Sequence, residues 1–252
     1  MRSLLHEAID ILRSEGPTTL FLKRINYVYR RTVAPVLPRR SVQFNSIDVP
    51  AVRLFDRALP WRHHQKDRPN YESGLIAGIE RNIDPDDDVI IVGGGWGVTA
   101  VKAAYKVGKG GTVTVYEGSA KEVDRVRRTA ETNGYSDIIN VKHAIVGTGL
   151  NLRGDSGAAA VVNPEELPQC DVLELDCEGS EIEILEEITI RPDVILVETH
   201  GQYDASTDDV KSILSDKSYS VVSSVIADRD SQEKCINDDI RVLTAIRNDR
   251  LE

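Results

Sequence analysis

Two short segments of this 252-residue chain gather most of its reactive groups. Gly93-Gly94-Gly95-Trp96-Gly97 follows the apolar run Val89–Val92 and precedes a helical pattern that starts at Val98. Glycines let a backbone turn tightly and approach a ligand, and a helix start offers unpaired N–H groups, so this is a nucleotide-type site. The second segment, Asp171–Leu185, reads DVLELDCEGSEIEIL. It sets Asp176, Glu178 and Glu181 where a strand ends and a helix begins. Carboxylates there can orient a hydroxyl, take its proton or hold a divalent cation through oxygen. They can also simply cap a helix. Glu198 and His200 close the next apolar run, Val194–Val197. A histidine at a strand end can titrate near neutral pH and serve as a base, or be a satisfied structural residue.

Spacing narrows the loop. The dinucleotide fingerprint G-x-G-x-x-G fails from every start, because Trp96, Val98 and Ala100 stand where its second or third glycine is needed. This disfavours a nicotinamide dehydrogenase. No Lys-Ser/Thr follows, so the loop is not a phosphate-cradling Walker loop. What stands is G-x-G-x-G at Gly93, Gly95 and Gly97. Glu117 ends the next apolar run, 20 residues after Gly97. Its two carboxylate oxygens can accept from both hydroxyls of a ribose; the plainer reading is a surface glutamate opening a helix.

The elements that must hold these groups alternate. Short apolar runs recur at Val89–Val92, Thr112–Tyr116, Val141–Val146, Val172–Leu175, Val194–Val197, Tyr219–Ile226 and Ile240–Ile246. Without polar alternation, they read as strands buried on both faces. Helical patterns at Ser73–Arg81, Val98–Val107, Lys121–Thr132, Ser180–Glu187 and Asp208–Leu214 precede or separate most of them. The expected fold is α/β: a Rossmann-like, mostly parallel sheet with helices on both faces. Only Asp228–Asp239 joins the last two strands, so one antiparallel strand is expected near the C-terminus. Residues 1–70 are expected to form a helical extension and residues 71–252 the main domain. In the extension, Ser3–Ser14 and a stretch from about Thr19 to Pro35 have helical spacing, and Ser41–Val49 could pair as strands. Asp84–Asp88 reads as a solvated turn, and no residue is assigned to a metal. His63-His64 with Trp61 could touch a substrate, but neighbours in sequence rarely converge on one ion.

Charge is uneven. Residues 1–70 hold 13 basic and 6 acidic residues, a net of +7, and residues 71–252 carry −17. The basic head suits an anionic partner such as a membrane surface, or it covers the acidic body. The body's field repels nucleic acid. No run approaches the roughly 20 apolar residues of a membrane span. Three cysteines without metal-type spacing suggest a reduced, cytoplasmic setting, with contact at the inner membrane surface an option.

VIIVGGGWG, VTVYEGS, VKHAIVG, DVLELDCEGSEIEIL and VILVETH together resemble the ordered motifs of the FkbM-type family of S-adenosylmethionine-dependent methyltransferases, from about Tyr71 to Val225. DCEGSE at Asp176–Glu181 is the most specific part. The resemblance implies a class I methyltransferase sheet with S-adenosyl-L-methionine as cofactor. Gly93, Gly94, Gly95, Trp96 and Gly97 would take its methionine part, Glu117 and Gly118 the ribose, and Ala144 and Ile145 the adenine. From the residues themselves, Asp176, Glu178 and His200 are the unranked catalytic candidates, for orienting the acceptor or acting as base. The implied reaction is O-methylation of a sugar or glycan, plausibly lipid-carried, or of a small carboxylate. Three positions depart from the family. Ile91 stands where an acid is usual, Gly95 where asparagine is, and Glu174 where lysine is. These changes leave open a binding-only relative with a degenerate site.

Overall fold

The computed structural model describes residues 16–53, 56, 67–148 and 157–251. The Ser3–Ser14 pattern and Trp61, His63 and His64 lie outside them. The chain divides into two compact units: Met1–Val42 with Ala51–Lys66, and Gln43–Pro50 with Asp67–Glu252.

In the smaller unit, helix α1 (Gly16–Thr32) covers the helical stretch expected from about Thr19. It exposes Phe21, Tyr27 and Val28. The Tyr29 hydroxyl donates to Asp56 at 3.0 Å, and the Arg53 guanidinium donates to the Leu37 carbonyl at 2.7 Å. Strands β1 (Arg39–Phe44) and β2 (Ile47–Arg53), whose Gln43–Pro50 part belongs to the larger unit, form a two-stranded sheet, as expected for this stretch. Asn45 and Ser46 join them with φ of 46° and 66°, the left-handed pair that a two-residue hairpin needs.

The larger unit is a doubly wound sheet. Its elements are α2 (Ser73–Asn82), β3 (Asp88–Val92), α3 (Val98–Val107), β4 (Thr112–Glu117), α4 (Ala120–Asn133), β5 (Ile139–Val146) and β6 (Ala160–Val162). They continue as β7 (Val172–Leu175), α5 (Glu181–Glu187), β8 (Val194–Glu198), α6 (Thr207–Asp216), β9 (Tyr219–Ile226), α7 (Gln232–Asn237) and β10 (Arg241–Arg247). The strand order is β6-β5-β4-β3-β7-β8-β10-β9. All pairs from β6 to β8 are parallel, and β10 runs antiparallel between β8 and β9. This is the Rossmann-like sheet the apolar runs predict, with the antiparallel strand where the short Asp228–Asp239 link requires one. That link is a 3-10 turn and α7 rather than a bare loop.

Burial explains the runs. Val89 to Val92 are all under 5% exposed because each face of β3 meets helices. Ile90, Val92, Leu173 and Leu175 pack with Ile184 and Leu185 of α5 and Val210 and Leu214 of α6. Helices α2, α3 and α4 pack on one another, and α3 and α4 reach β3, β4 and β5. Burying each such aliphatic side chain contributes about 1.5–3 kcal/mol, so the sheet centre is the least mutable part of the fold. Edge strand β6 has no counterpart in the sequence reading. Three residues with Val161 exposed leave no pattern to find. Asp84–Asp88 is a turn, its Asp87 carboxylate accepting from the Asp84 amide at 2.8 Å. No helix among the described residues is long and apolar enough to cross a membrane.

Candidate active site

In an open α/β sheet the crevice lies beyond the carboxyl ends of the strands, where the strand order reverses. Here that point lies between β3 and β7, and a cleft of about 370 Å³ opens there. Its size is at the low end of the range for small-molecule sites. The glycine loop leaves β3 directly into it. Gly93 donates to the Tyr116 carbonyl at 3.0 Å while the Asp176 amide donates to Val92 at 2.9 Å, so strand pairing draws the two loops together. Gly93 has φ +99°, and a Cβ there would sit 1.8 Å from the Asp176 carbonyl oxygen. Gly97 (φ +77°) caps α3, and its Cβ would meet the Val126 backbone at 2.9 Å. At Gly95 a Cβ meets only the Glu72 carboxylate, at 3.8 Å, so there the loop is open to the cleft.

Gly93→Ala should therefore lower stability by about 3 kcal/mol or more, because the obstacle is backbone at the end of a central strand. Gly134→Ala, with φ +78° and nothing near its Cβ, should cost only the left-handed strain, about 1–2 kcal/mol. Thermal melts of both variants check this; equal losses would count against the close approach.

Glu117 lies where predicted, as the last residue of β4, and is 7% exposed. Its Oε2 accepts from the Gly94 and Gly95 amides at 2.9 and 3.3 Å, and Oε1 accepts from Ser119 at 2.7 Å. Burial raises its pKa, and those three amides partly offset the rise. A carboxylate offers about four acceptor positions, so roughly one is left for a ligand hydroxyl. Gly118, Ala144 and Ile145 line the same side of the cleft. The His143 ring nitrogen Nε2 lies 3.2 Å from the Gly118 carbonyl oxygen. Trp96 lines the entrance with the Arg125 guanidinium 4.0 Å above its ring.

The opposite corner holds Asp176, Glu178, Glu198 and His200. Glu181, at the start of α5, is fully buried behind it and accepts from His200 Nδ1 at 2.9 Å. The Cys177 and Gly179 amides also donate to Glu181. Burial works to lower the His200 pKa. The Glu181 hydrogen bond and the charges of Asp176, Glu181 and Glu178 outweigh it and raise the value. For Glu181, burial works upward and His200 outweighs it, so the carboxylate is held low. The pair thus fixes the imidazole with Nε2 toward the cleft, 3.7 Å from Asp176 Oδ1 and 3.6 Å from Glu198 Oε1. Burial, then Asp176 and Glu72, push Glu198 well up. Glu178 sits in the left-handed region at φ 55°. Non-glycine residues rarely adopt this conformation, and it recurs at functional sites.

The fold adds residues that no motif announces. Arg68 pairs with Asp228 at 2.7 Å and lies 4.3 Å over the Tyr71 ring. Glu72 opens α2 with φ 48° and lines the cleft, its pKa pushed to about 8 by burial and Asp176. These residues precede α2 in irregular chain, where spacing carries no signal. Glu174 does not line the cleft. It is 1% exposed inside β7, in register with Ile91, and neither carboxylate oxygen has a hydrogen-bond partner. Two of the three departures, Ile91 and Glu174, are therefore one neighbouring pair in the sheet.

No protein family profile matches the sequence, and no curated protein matches it. Solved structures do. Ribosomal protein L11 methylase from Lactobacillus delbrueckii subsp. bulgaricus matches at 16% identity and TM-score 0.49, over 71% of this chain and 79% of that one. Aeropyrum pernix fibrillarin, solved with natively bound S-adenosyl-L-methionine, matches at 16% and 0.47, over 69% and 73%. A Bacillus subtilis tRNA methyltransferase matches at 14% and 0.46, over 70% and 66%. The fold assignment itself rests on the strand order and register.

Proposed function

We propose that the protein is an S-adenosyl-L-methionine-dependent O-methyltransferase. The observation that carries the reading is the joint placement of Glu117 and the open glycine loop. An acid at the end of the second parallel strand grips the loop of the first, at the reversal point of the sheet. The residues present fit the donor: the open backbone at Gly95 would take the methionine part, Glu117 and Gly118 the ribose, and Ala144 and Ile145 the adenine. When bound, the donor supplies a methyl group on a sulfonium, transferred in line to a nucleophile.

The chain's own task is to align the acceptor and remove a proton. Asp176, Glu178 and His200 serve the acceptor end, with Glu198 beside them. Asp176 leaves β7 beside Gly93, so the donor loop and the acceptor corner adjoin through backbone. Glu181 holds the imidazole, and the proton of the acceptor hydroxyl leaves at this corner. Gln202 and Lys234 add further polar groups to the lining, which suits a hydroxyl-rich acceptor such as a sugar or glycan. A carboxylate acceptor would need no deprotonation. The −17 charge of residues 71–252 argues against a broad phosphate-backbone acceptor.

Calorimetry with S-adenosylhomocysteine, with NAD as control, tests the donor site. Asp176→Asn and His200→Ala should keep that binding and lose about 100-fold or more of methyl transfer to a sugar acceptor. A folded protein that binds neither ligand would overturn the reading and leave a degenerate relative, for which Ile91 is the motive.

The finer assignment of place is a cytoplasmic protein in peripheral contact with an anionic membrane surface. Exposed Phe21, Tyr27 and Val28 on α1, among Lys23, Arg24 and Arg31, support it. Co-sedimentation with anionic vesicles that falls with salt is the expected result. No sedimentation with either anionic or neutral vesicles would remove membrane contact from the reading.

A further inference from the structure

The sequence reading assigns no residue to a metal, yet the fold brings three ligand types to one point. We propose that Asp176, Glu198 and His200 form a divalent-cation site at the acceptor end of the cleft. One ligating atom from each lies within 4.8 Å of the others. In a six-coordinate site with bonds of about 2.1 Å, neighbouring ligand atoms are about 3.0 Å apart and opposite ones about 4.2 Å. His200 Nε2 stands 3.7 Å from Asp176 Oδ1 and 3.6 Å from Glu198 Oε1, between those limits. Each His200 pair is 0.6–0.7 Å from the neighbouring-ligand spacing of about 3.0 Å, a distance that side-chain rotation covers.

The second observation is the imidazole itself. His200 is 3% exposed, and its Nε2, facing the two carboxylates, makes no hydrogen bond among the described residues. Its Nδ1 is bound to fully buried Glu181, which in turn accepts two backbone amides. A histidine that ligates a metal is commonly held this way, its other ring nitrogen donating to a carboxylate that fixes ring and tautomer. The mounting is rigid. Asp176 follows β7, Glu198 is the last residue of β8 and pairs with Val242, and the His200 amide donates to the Ala205 carbonyl at 2.9 Å. Glu72 lies close enough to act electrostatically on Asp176 and Glu198, so the corner gathers three carboxylates around one imidazole.

Two carboxylates and one imidazole, with positions left over, suit Mg²⁺ or Mn²⁺ better than a closed thiolate-type site. The open positions would take water or acceptor oxygens. An acceptor hydroxyl bound there loses its proton more readily, a role that rests on the methyl-transfer reading; the cation site does not.

The test uses the full chain, stripped with EDTA and titrated with MnCl₂, with free Mn²⁺ followed by electron paramagnetic resonance. One Mn²⁺ per chain, displaced by Mg²⁺, is expected. Asp176→Asn and Glu198→Gln should each weaken it at least tenfold, and Glu181→Gln about tenfold through the imidazole. Asp87→Asn, in the acidic turn, should leave it unchanged. Circular dichroism confirms that each variant is folded, and either ligand variant suffices if the other is not. No Mn²⁺ binding by folded wild type, or binding indifferent to both ligand substitutions, overturns the proposal. A parallel titration with S-adenosylhomocysteine separates the two readings. Nucleoside binding without Mn²⁺ sinks the cation site alone, and Mn²⁺ without nucleoside binding supports the site and sinks the methyl-transfer reading.

Discussion

Glu117→Ala should weaken S-adenosylhomocysteine binding at least tenfold, a loss of about 1.4 kcal/mol or more. The effect has two sources. The ribose hydroxyl loses its acceptor, and the loop loses the group that holds it. The Gly94, Gly95 and Ser119 amides all donate to this one side chain, and two of those contacts are the link from β4 to the glycine loop. Alanine leaves those donors without their acceptor, at about 1–3 kcal/mol for a buried group, so the melting temperature should fall as well. Glu117→Gln separates the sources. It keeps the shape and one acceptor oxygen but turns an NH₂ toward backbone N–H groups, so it should fall between alanine and wild type in both measurements. A folded Glu117→Ala variant with unchanged affinity would exclude ribose contact at this position.

Glu174→Gln should stabilise the protein, and the gain should grow with pH. Burial pushes the Glu174 carboxyl up to about 8 from its ordinary 4.5. Its folded-state value is thus above its unfolded value. Below 4.5 the group is protonated in both states and costs nothing by ionisation. Between 4.5 and 8 the unfolded chain releases the proton and the folded one keeps it, so stability falls as pH rises. At about 1.4 kcal/mol per pH interval of one, the deficit is of the order of 3 kcal/mol by pH 7 and levels off above 8. Glutamine has the same shape and no such ionisation. Urea unfolding of both proteins in EDTA at pH 5 and pH 8 measures it. A difference that is the same at both pH values would mean that Glu174 is ionised in the fold.

The strands were legible for a simple reason. A strand covered on both sides must be apolar throughout, and Val89–Val92 and Val194–Val197 announce themselves without any partner being known. The glycine loop and Glu117 were legible because a tight turn and a strand-end acid are local requirements. The acceptor corner was only half legible. DCEGSE marked Asp176, Glu178 and Glu181, but nothing in one dimension shows that Glu181 turns back to hold His200 from the next strand. Nor does it show that Glu198 completes a triangle with Asp176. Glu72, Arg68 and Tyr71 come from chain that spacing does not describe, and enter the cleft only because α2 opens beside the loop. Ile91 and Glu174 look like two separate departures along the chain. Pairing in register makes them one local exchange inside the sheet.

Trp96 gives the protein a use beyond its chemistry. The sequence holds two tryptophans, Trp61 and Trp96. The indole of Trp96 sits on the cleft wall under the Arg125 guanidinium and edge-on to Phe44 at 5.7 Å. Indole emission shifts with hydration and with a nearby cation, so a guest in the cleft changes the colour or yield of this one residue. In a Trp61→Phe background the light comes from Trp96 alone. Arrival and departure of nucleosides could then be timed by stopped flow without attaching any dye.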